Sequence, residues 1–276
     1  MEGCVNLLRS LLAIEYCGKM FELGLDLHVW ALLCGAALLA GFVDAIAGGG
    51  GLLTVPALMS AGLPPHIVLG TNKLAATFGS FAASLTYYRK RLFQPMFWVY
   101  SICCTAVGAI IGTVVVDLIS ADWLERILPL VIIFIALYTL FQRTPPLYQN
   151  RLPKRSSRLV KAQSAQGVVL GFYDGFAGPG TGAFWMVSNM AIYKMDILRS
   201  SGVAKAMNFV SNACSLAAFI WLSHVNWGIG LAMGICIMLG SFIGAHTAIR
   251  FGASFIKPVF ITVVVLMALK LAYQAW

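Results

Sequence analysis

The stretch GFVDAIAGGGGLLTVPALMSAGL, residues 41–63, combines features that conflict within one apolar segment. It is apolar enough to lie in a lipid bilayer, yet it contains the ionisable Asp44 and four consecutive glycines, Gly48 to Gly51. Apart from proline, glycine is the residue least suited to a helix interior. The segment therefore predicts a helix that breaks at membrane depth, next to a charged side chain.

The composition indicates that the rest of the chain also lies in a membrane. Of the 276 residues, 60% are hydrophobic and only 11% are charged, whereas soluble domains are typically about 25% charged. Apolar runs at 95–116, 127–141, 227–249 and 255–275 reach or approach the roughly 20 residues that a spanning helix needs. We therefore predict an all-α polytopic membrane protein.

The net charge of +9 is concentrated in a few segments. Between Arg143 and Lys161 there are six basic residues and no acidic one, and a second basic cluster lies at 89–91. Cytoplasmic loops of membrane proteins collect Lys and Arg. We therefore expect both segments on the cytoplasmic side, which explains the charge without a nucleic-acid partner.

The chain contains an internal duplication. GFVDAIAGGGG aligns with GFYDGFAGPGTG, so that Asp44 corresponds to Asp174 at an offset of 130 residues, and Lys73 corresponds to Lys205 at an offset of 132. A nearly constant offset over most of the chain indicates a repeat. We divide the chain into an N-terminal tail (1–26), a first transmembrane repeat (27–142), a basic cytoplasmic linker (143–164) and a second transmembrane repeat (165–276).

Loop charges predict that the two repeats are inverted in the membrane. In the first repeat the loop 89–91 is basic and the turn 117–125 is acidic. In the second repeat the loop 222–227 has no Lys or Arg, whereas the turn 250–257 carries an arginine and a lysine. The positive charge changes sides between the repeats, as in many secondary transporters.

An inverted repeat requires an odd number of membrane crossings in each half. We therefore expect each half to contain a broken hairpin, which enters and returns to the same face, and three spanning helices. The helices at 66–88 and 201–222 would be the first crossings after the hairpins, and both termini would be periplasmic. In the alternative description each hairpin counts as one span, which gives about eight transmembrane segments.

A new helix is expected after each glycine break. Thr54, before Val55 and Pro56, would start the first helix, and Thr181 would cap the second. Helix N-termini expose unpaired N–H groups and partial positive charge, and glycines let an anion approach them closely. We expect the two N-termini, one from each repeat, to meet and form an anion site that includes Thr181.

Four charged residues are predicted to lie within the membrane, and they form the repeat pairs Asp44 with Asp174 and Lys73 with Lys205. Each costs about 2.5–3.5 kcal/mol at the bilayer centre, although a lysine partly offsets this by snorkelling. The aspartates need a lysine, a cation or a proton as partner. Either these residues serve transport, or they form a structural Asp–Lys lock between a hairpin and a spanning helix.

Amide side chains lie close to both lysines in the sequence. Asn72 precedes Lys73, and Asn208 and Asn212 follow Lys205 at helical spacings of three and seven residues. This spacing puts Lys205 and its two amides on one helix face. A polar face on an otherwise apolar helix favours a lined cavity over lipid.

Two G-x-x-x-G patterns occupy corresponding positions in the repeats, GAIIG at 108–112 and GSFIG at 240–244. Such patterns let helices approach closely. They predict helix packing, either within the chain or in a homodimer.

The stretches GFVDAIAGGGGLLTVPAL, GLPPHIVLGTNKL, GFYDGFAGPGTGAF and AKAMNFVSN together closely resemble the sulfite exporter TauE/SafE family, in particular its YfcA-like bacterial branch. The resemblance covers about residue 21 to the C-terminus. It implies an inner-membrane permease for small anions such as sulfite and organosulfonates, often counted with eight spans. Carried over by motif, the transport path would contain Asp44, Gly48, Gly49, Gly50, Gly51, Thr71, Asn72, Lys73, Asp174, Gly178, Pro179, Gly180, Lys205, Asn208 and Asn212.

The residues and the resemblance both favour a transporter of a small anionic substrate, with Asp44 and Asp174 coupling transport to protons. A channel or facilitator is an alternative, because broken hairpins also occur in channels. An intramembrane enzyme would need His, Cys or carboxylate groups clustered at one face. The seven cysteines and four histidines show no metal-ligand spacing, so we expect no enzyme, no metal and no cofactor.

Overall fold

The computed structural model describes residues 26–128, 130 and 152–252, and these residues are helical without any strand. In chain order the helices are α1 (Leu27–Ala47), α2 (Gly51–Ser60), α3 (Pro65–Arg89), α4 (Val99–Asp117), α5 (Ser157–Phe176), α6 (Thr181–Tyr193), α7 (Ile197–Trp221) and α8 (Trp227–Phe251). A 3-10 turn lies at Pro95–Phe97, and residues 121–128 are also helical. The all-α prediction is confirmed for this part of the chain.

Four of the described helices, α1, α4, α7 and α8, are long and apolar enough to cross a membrane. Large apolar side chains such as Leu39, Ile111 and Phe242 point outwards and are about half exposed, as expected for surfaces that face lipid. The chain is therefore a multi-pass membrane protein. The expected span at 255–275 and most of the one at 127–141 lie outside the described residues. The inverted arrangement and the number of spans stay predictions.

The lengths of the helices around each break are unequal. Helix α1 has 21 residues and α5 has 20, so each is about 30 Å long, close to the thickness of the bilayer core. Helices α2 and α6 have only 10 and 13 residues, and at about 15–20 Å they are too short to cross it. Each break therefore lies between a long helix and a short helix.

The two repeats interlock through equivalent contacts. Helices α1–α4 correspond to α5–α8, and α4 packs most extensively against α5, while α8 packs against α1 and almost as extensively against α3. Each repeat thus places its fourth helix on the first helix of the other repeat. Helices α3 and α7, which carry the two lysines, pack directly against each other between these pairs.

Glycines allow the closest of these helix contacts. A Cβ atom at Gly112 in α4 would lie 2.1 Å from the carbonyl oxygen of Phe172 in α5. A Cβ atom at Gly240 in α8 would lie 2.1 Å from the carbonyl oxygen of Leu38 in α1. Both G-x-x-x-G patterns therefore serve packing within the chain, and the homodimer contact stays a prediction.

The predicted starts of the two short helices are wrong. Helix α2 begins at Gly51 rather than Thr54, because the backbone amides of Leu53 and Thr54 already donate to the carbonyl of Gly50. Thr181 is the first residue of α6 and not its cap. Its hydroxyl donates to the carbonyl of Gly178 at 2.7 Å, and no side chain in the described part of the chain accepts a hydrogen bond from the first amides of this helix.

Helix α5 extends into the segment that was predicted to be the linker, and the division of the chain into repeats and linker stays a prediction. Helix α5 starts at Ser157, inside the segment 143–164 that was assigned to the linker. The side chain of Ser156 accepts a hydrogen bond from the backbone amide of Leu159 and caps this helix. The tail up to residue 25 and the linker up to residue 151 lie outside the described residues.

Candidate functional site

The two backbone breaks meet in the interior of the protein. Gly48 ends α1 with a left-handed backbone (φ 84°), and its carbonyl accepts a hydrogen bond from the backbone amide of Ala183 at 3.3 Å. A Cβ atom at Gly48 would lie 2.3 Å from that nitrogen, and a Cβ atom at Gly51 would lie 3.1 Å from Pro179. Only residues without a side chain let the two breaks approach this closely.

A small polar cavity of about 40 Å³ lies where the breaks meet. It has room for about three water-sized groups, because one water needs roughly 10–15 Å³ by this measure. The cavity is lined by residues from both repeats: Ala40, Asp44, Gly48, Gly50, Gly51, Thr54, Asn72, Lys73, Ala76, Asp174, Gly178, Gly180, Thr181, Gly182, Asn208, Asn212 and Ile237.

One ion pair at the cavity joins Lys73 of the first repeat to Asp174 of the second. The Lys73 ammonium lies 2.7 Å from Asp174 Oδ1 and also donates to the backbone carbonyl of Asp174 at 2.5 Å. The Asp174 carboxylate further accepts hydrogen bonds from the hydroxyls of Thr181 and Ser211. The Lys73 and Asp174 side chains are only 1% and 4% exposed.

The second ion pair joins Lys205 of the second repeat to Asp44 of the first. The Lys205 ammonium lies 2.9 Å from Asp44 Oδ2, and Asp44 Oδ1 accepts the backbone amide of Gly50 at 3.0 Å. The Lys205 side chain is 2% exposed, whereas the Asp44 side chain is 21% exposed. Both ion pairs therefore connect the two repeats. The two positive and two negative charges beside the cavity sum to zero.

The amide side chains of α3 and α7 add polar groups to the cavity wall. Asn212 Oδ1 accepts a hydrogen bond from the Lys73 ammonium at 3.1 Å, and Asn72 Oδ1 accepts the hydroxyl of Thr54 at 2.5 Å. Asn208 also lines the cavity, and its buried Oδ1 has no hydrogen-bond partner among the described residues.

Unpaired backbone amides also face this region. Gly51 and Gly182 line the cavity at the N-termini of α2 and α6, and their N–H groups have no acceptor within the described chain. Such amides, together with the partial positive charge of a helix N-terminus, attract anions. The cavity thus offers fixed donors from both repeats.

The structure brings most of the predicted site residues together, with four exceptions, of which Pro179 is one because it does not line the cavity. Thr71 is buried away from the cavity, where its hydroxyl accepts the backbone amide of Asn226 at the start of α8. Gly49 does not line the cavity. Lys205 does not line the cavity directly, because its ammonium lies behind Gly182. A Cβ atom added to Gly182 would lie 3.0 Å from Lys205 Nζ.

Several residues of the site were not predicted from the sequence. Ser211 contacts Asp174, Thr54 holds Asn72, and Gly182 provides a free amide at the cavity. The position of Ser211, three residues after Asn208 on the polar face of α7, could have indicated its role. Among the residues that the structure covers, no group of three or more His, Cys, Asp or Glu side chains could hold a metal ion.

A multi-pass helical protein with broken backbone and buried ion pairs around an internal cavity has the organisation of a membrane transporter. The family model described as "Sulfite exporter TauE/SafE" matches residues 33–271. The chain therefore belongs to the sulfite exporter TauE/SafE family, a family of transporters and not of enzymes.

Curated relatives agree with this assignment. The chain is 37% identical over 247 residues to "Probable membrane transporter protein ORF9" of Sinorhizobium sp, covering 90% of this chain and 94% of that one. It is 36% identical over 262 residues to a "Probable membrane transporter protein" of Haemophilus influenzae, covering 92% and 98%. It is 38% identical over 239 residues to "Probable membrane transporter protein YfcA" of Escherichia coli, covering 87% and 88%. No solved structure matches the chain.

Proposed function

We propose that this protein moves small anions of the sulfite and organosulfonate type across the bacterial inner membrane, together with protons, through the central cavity. The observation that carries the proposal is the meeting of two lysines, two aspartates and two glycine breaks from both repeats in one small space. In this proposal the linker 143–164 is cytoplasmic and both termini are periplasmic, because cytoplasmic loops collect Lys and Arg.

The chemistry of the cavity favours an anion as its ligand. The Lys73 ammonium and the free amides of Gly51 and Gly182 all present positive charge or hydrogen-bond donors to it. Lys205 adds a second ammonium directly behind Gly182. A compact oxyanion has several acceptor oxygens, which suit donors that converge from different directions. The small volume favours a compact ligand over a large one.

Charge balance supplies a reason for proton coupling. With both lysines paired to aspartates, the four charges at the cavity sum to zero. An added monoanion would leave one unpaired negative charge in a low-dielectric interior, which costs several kcal/mol. A proton that binds an aspartate together with the anion restores neutrality and frees a lysine for the anion. Joint binding of this kind couples the transport of one anion to the transport of one proton in the same direction.

Flux measurements with purified protein in liposomes test the proposal. Sulfite and methanesulfonate are suitable probes, and because the sulfonate stays ionised, its pH dependence reports on the protein. We expect saturable uptake and accumulation of the anion on the alkaline side of an imposed pH gradient. Protein-free liposomes are the control. Saturable flux without accumulation would indicate a facilitator, and absence of flux for both anions would contradict the proposed substrate class.

A further inference from the structure

The two ion pairs are equivalent in the duplicated sequence, but they differ in how completely their hydrogen bonds are satisfied. An ammonium group has three hydrogens to donate. Lys73 uses all three, on the backbone carbonyl of Asp174, the carboxylate of Asp174 and the side chain of Asn212. Asp174 in turn accepts from Lys73 and Ser211, and it shares the single Thr181 hydroxyl hydrogen with the carbonyl of Gly178. This pair is saturated and almost completely buried.

The other pair is incompletely coordinated. The Lys205 ammonium donates to Asp44 only, so two of its hydrogens have no acceptor in the described chain. Asp44 accepts from Lys205 and the Gly50 amide, and about a fifth of its side chain remains exposed. Both aspartates line the cavity, but Asp44 has the more exposed side chain, 21% against 4% for Asp174, and is therefore the more accessible to a proton or a ligand.

Substitutions between the repeats explain the difference. At an offset of 132, Ser211 and Asn212 of α7 correspond to Gly79 and Ser80 of α3. Gly79 has no side chain to donate, and the hydroxyl of Ser80 donates to its own helix at the carbonyl of Ala76. The first repeat therefore lacks the groups with which the second repeat surrounds its aspartate.

We propose that the two pairs have separate roles: Lys73–Asp174 stays closed and holds the repeats together, whereas Asp44–Lys205 opens in each transport cycle. In this scheme Asp44 takes up the proton, and the released Lys205 ammonium turns to the anion. Lys73 contributes its positive charge to the cavity from within the closed pair. The inference rests on the proposed function and deepens it.

The surroundings of Asp44 contain few other titratable groups. Lys205 approaches from α7, and Lys73 and Asp174 line the same cavity from α3 and α5. The Tyr87 hydroxyl of α3 donates to the carbonyl of Ala45, next to Asp44. Helices α2, α6 and α8 present Thr54, Gly182 and Ile237, which do not titrate. Among the described residues, Lys205 is therefore the charged side chain that contacts Asp44 directly.

The variants Asp44→Asn and Asp174→Asn form a matched pair of tests, because each replaces one carboxylate with an amide of the same shape. We expect Asp174→Asn to lower the unfolding temperature by about 10 °C, since it replaces a buried carboxylate on which contacts from Lys73, Thr181 and Ser211 converge. Asp44→Asn also removes the partner of a buried ammonium, but the Asp44 side chain has fewer contacts and is partly exposed, so we expect a smaller decrease of no more than about 3 °C. In liposomes, Asp44→Asn should reduce the accumulation of methanesulfonate under a pH gradient to the level without a gradient.

A double variant keeps the test decisive if Asp174→Asn does not fold. K73M/D174N removes both charges of the closed pair together, which avoids an unpaired buried charge. We expect slower transport that still responds to the pH gradient. Equal losses of unfolding temperature in the two single variants would overturn the inference. Gradient-driven accumulation by Asp44→Asn, or its absence in a folded K73M/D174N, would do so as well.

The failure of this inference can be distinguished from failure of the proposed function. If the wild-type protein moves neither sulfite nor methanesulfonate, the proposed substrate class is wrong. The unfolding temperatures of the two Asp→Asn variants then still report whether the pairs differ in the folded protein.

Discussion

The ammonium of Lys73 pairs with Asp174 of the other repeat, and not with Asp44 of its own repeat. The reciprocal pair, Lys205 with Asp44, also crosses between the repeats. Together with the hydrogen bond from Ala183 to Gly48, these contacts join the two halves at the site itself. A change in the charge or size of either aspartate therefore alters a contact between the two repeats. Alternating access requires the repeats to move relative to each other at this interface.

Lys205 is expected to bind the anion through a charge-assisted contact. Lys205→Ala should weaken the binding of sulfite by roughly 1.5–3 kcal/mol, the scale of a hydrogen bond to a charged group. Titration calorimetry of the purified protein measures this change. Lys161→Ala, which removes an exposed lysine from the start of α5, is the matched control and should leave the affinity unchanged. Unaltered affinity together with loss of monodispersity in Lys205→Ala would instead identify a purely structural lock.

Two exposed positions test the predicted orientation in the membrane. In a cysteine-free variant, Ser120→Cys should react with a membrane-impermeant maleimide on intact spheroplasts, because the acidic turn is expected outside. Arg155→Cys, in the basic segment, should react only after the membrane is permeabilised. Both cysteines should react in lysed cells, which serves as the control. Equal labelling at the two positions before lysis would be incompatible with this topology.

Gly48 is expected to be essential for the contact between the two breaks. Gly48→Ala should be much more destabilising than Gly62→Ala, although both glycines have left-handed backbones with φ of 84° and 79°. At Gly62 there is open space for a Cβ atom, so only the backbone penalty of about 1–2 kcal/mol applies. At Gly48 the new atom would also meet the backbone of Gly182 and Ala183. The unfolding temperatures of the two variants in detergent measure this difference. Similar unfolding temperatures would show that the protein tolerates a larger distance between the two glycine breaks.

Gly112 is expected to determine how closely α4 and α5 pack. Gly112→Ala places a methyl group 2.1 Å from the carbonyl oxygen of Phe172, so the helices must separate, at a cost of about 1–3 kcal/mol. Gly35→Ala is the control, because its Cβ atom would have no neighbour within 4 Å and alanine favours helix. Unfolding temperatures should fall for the first variant and stay or rise for the second. If the unfolding temperature changes equally in the two variants, the interface between α4 and α5 accommodates the added methyl group.

Much of the protein could be predicted from the sequence alone. Composition and the length of apolar runs determine that the chain lies in a membrane, because a bilayer excludes charge and requires long helices. The constant offset between Asp44 and Asp174 reveals the duplication, and the glycines reveal the breaks, since these signals are local to the chain. The same reasoning selected most of the residues that line the cavity.

The tertiary structure alone decided how these residues are combined. Repeat symmetry makes Lys73 equally suited to Asp44 and Asp174, and only the packing of α3 against α7 between the other helices selects the pair across the repeats. Packing likewise removes Thr71 from the cavity and brings Ser211 to Asp174. Spacing along a helix specifies which face a side chain occupies, but not which neighbour that face meets. The inequality of the two ion pairs follows from those neighbours, because the hydrogen-bond donors around a buried carboxylate come from helices distant in sequence.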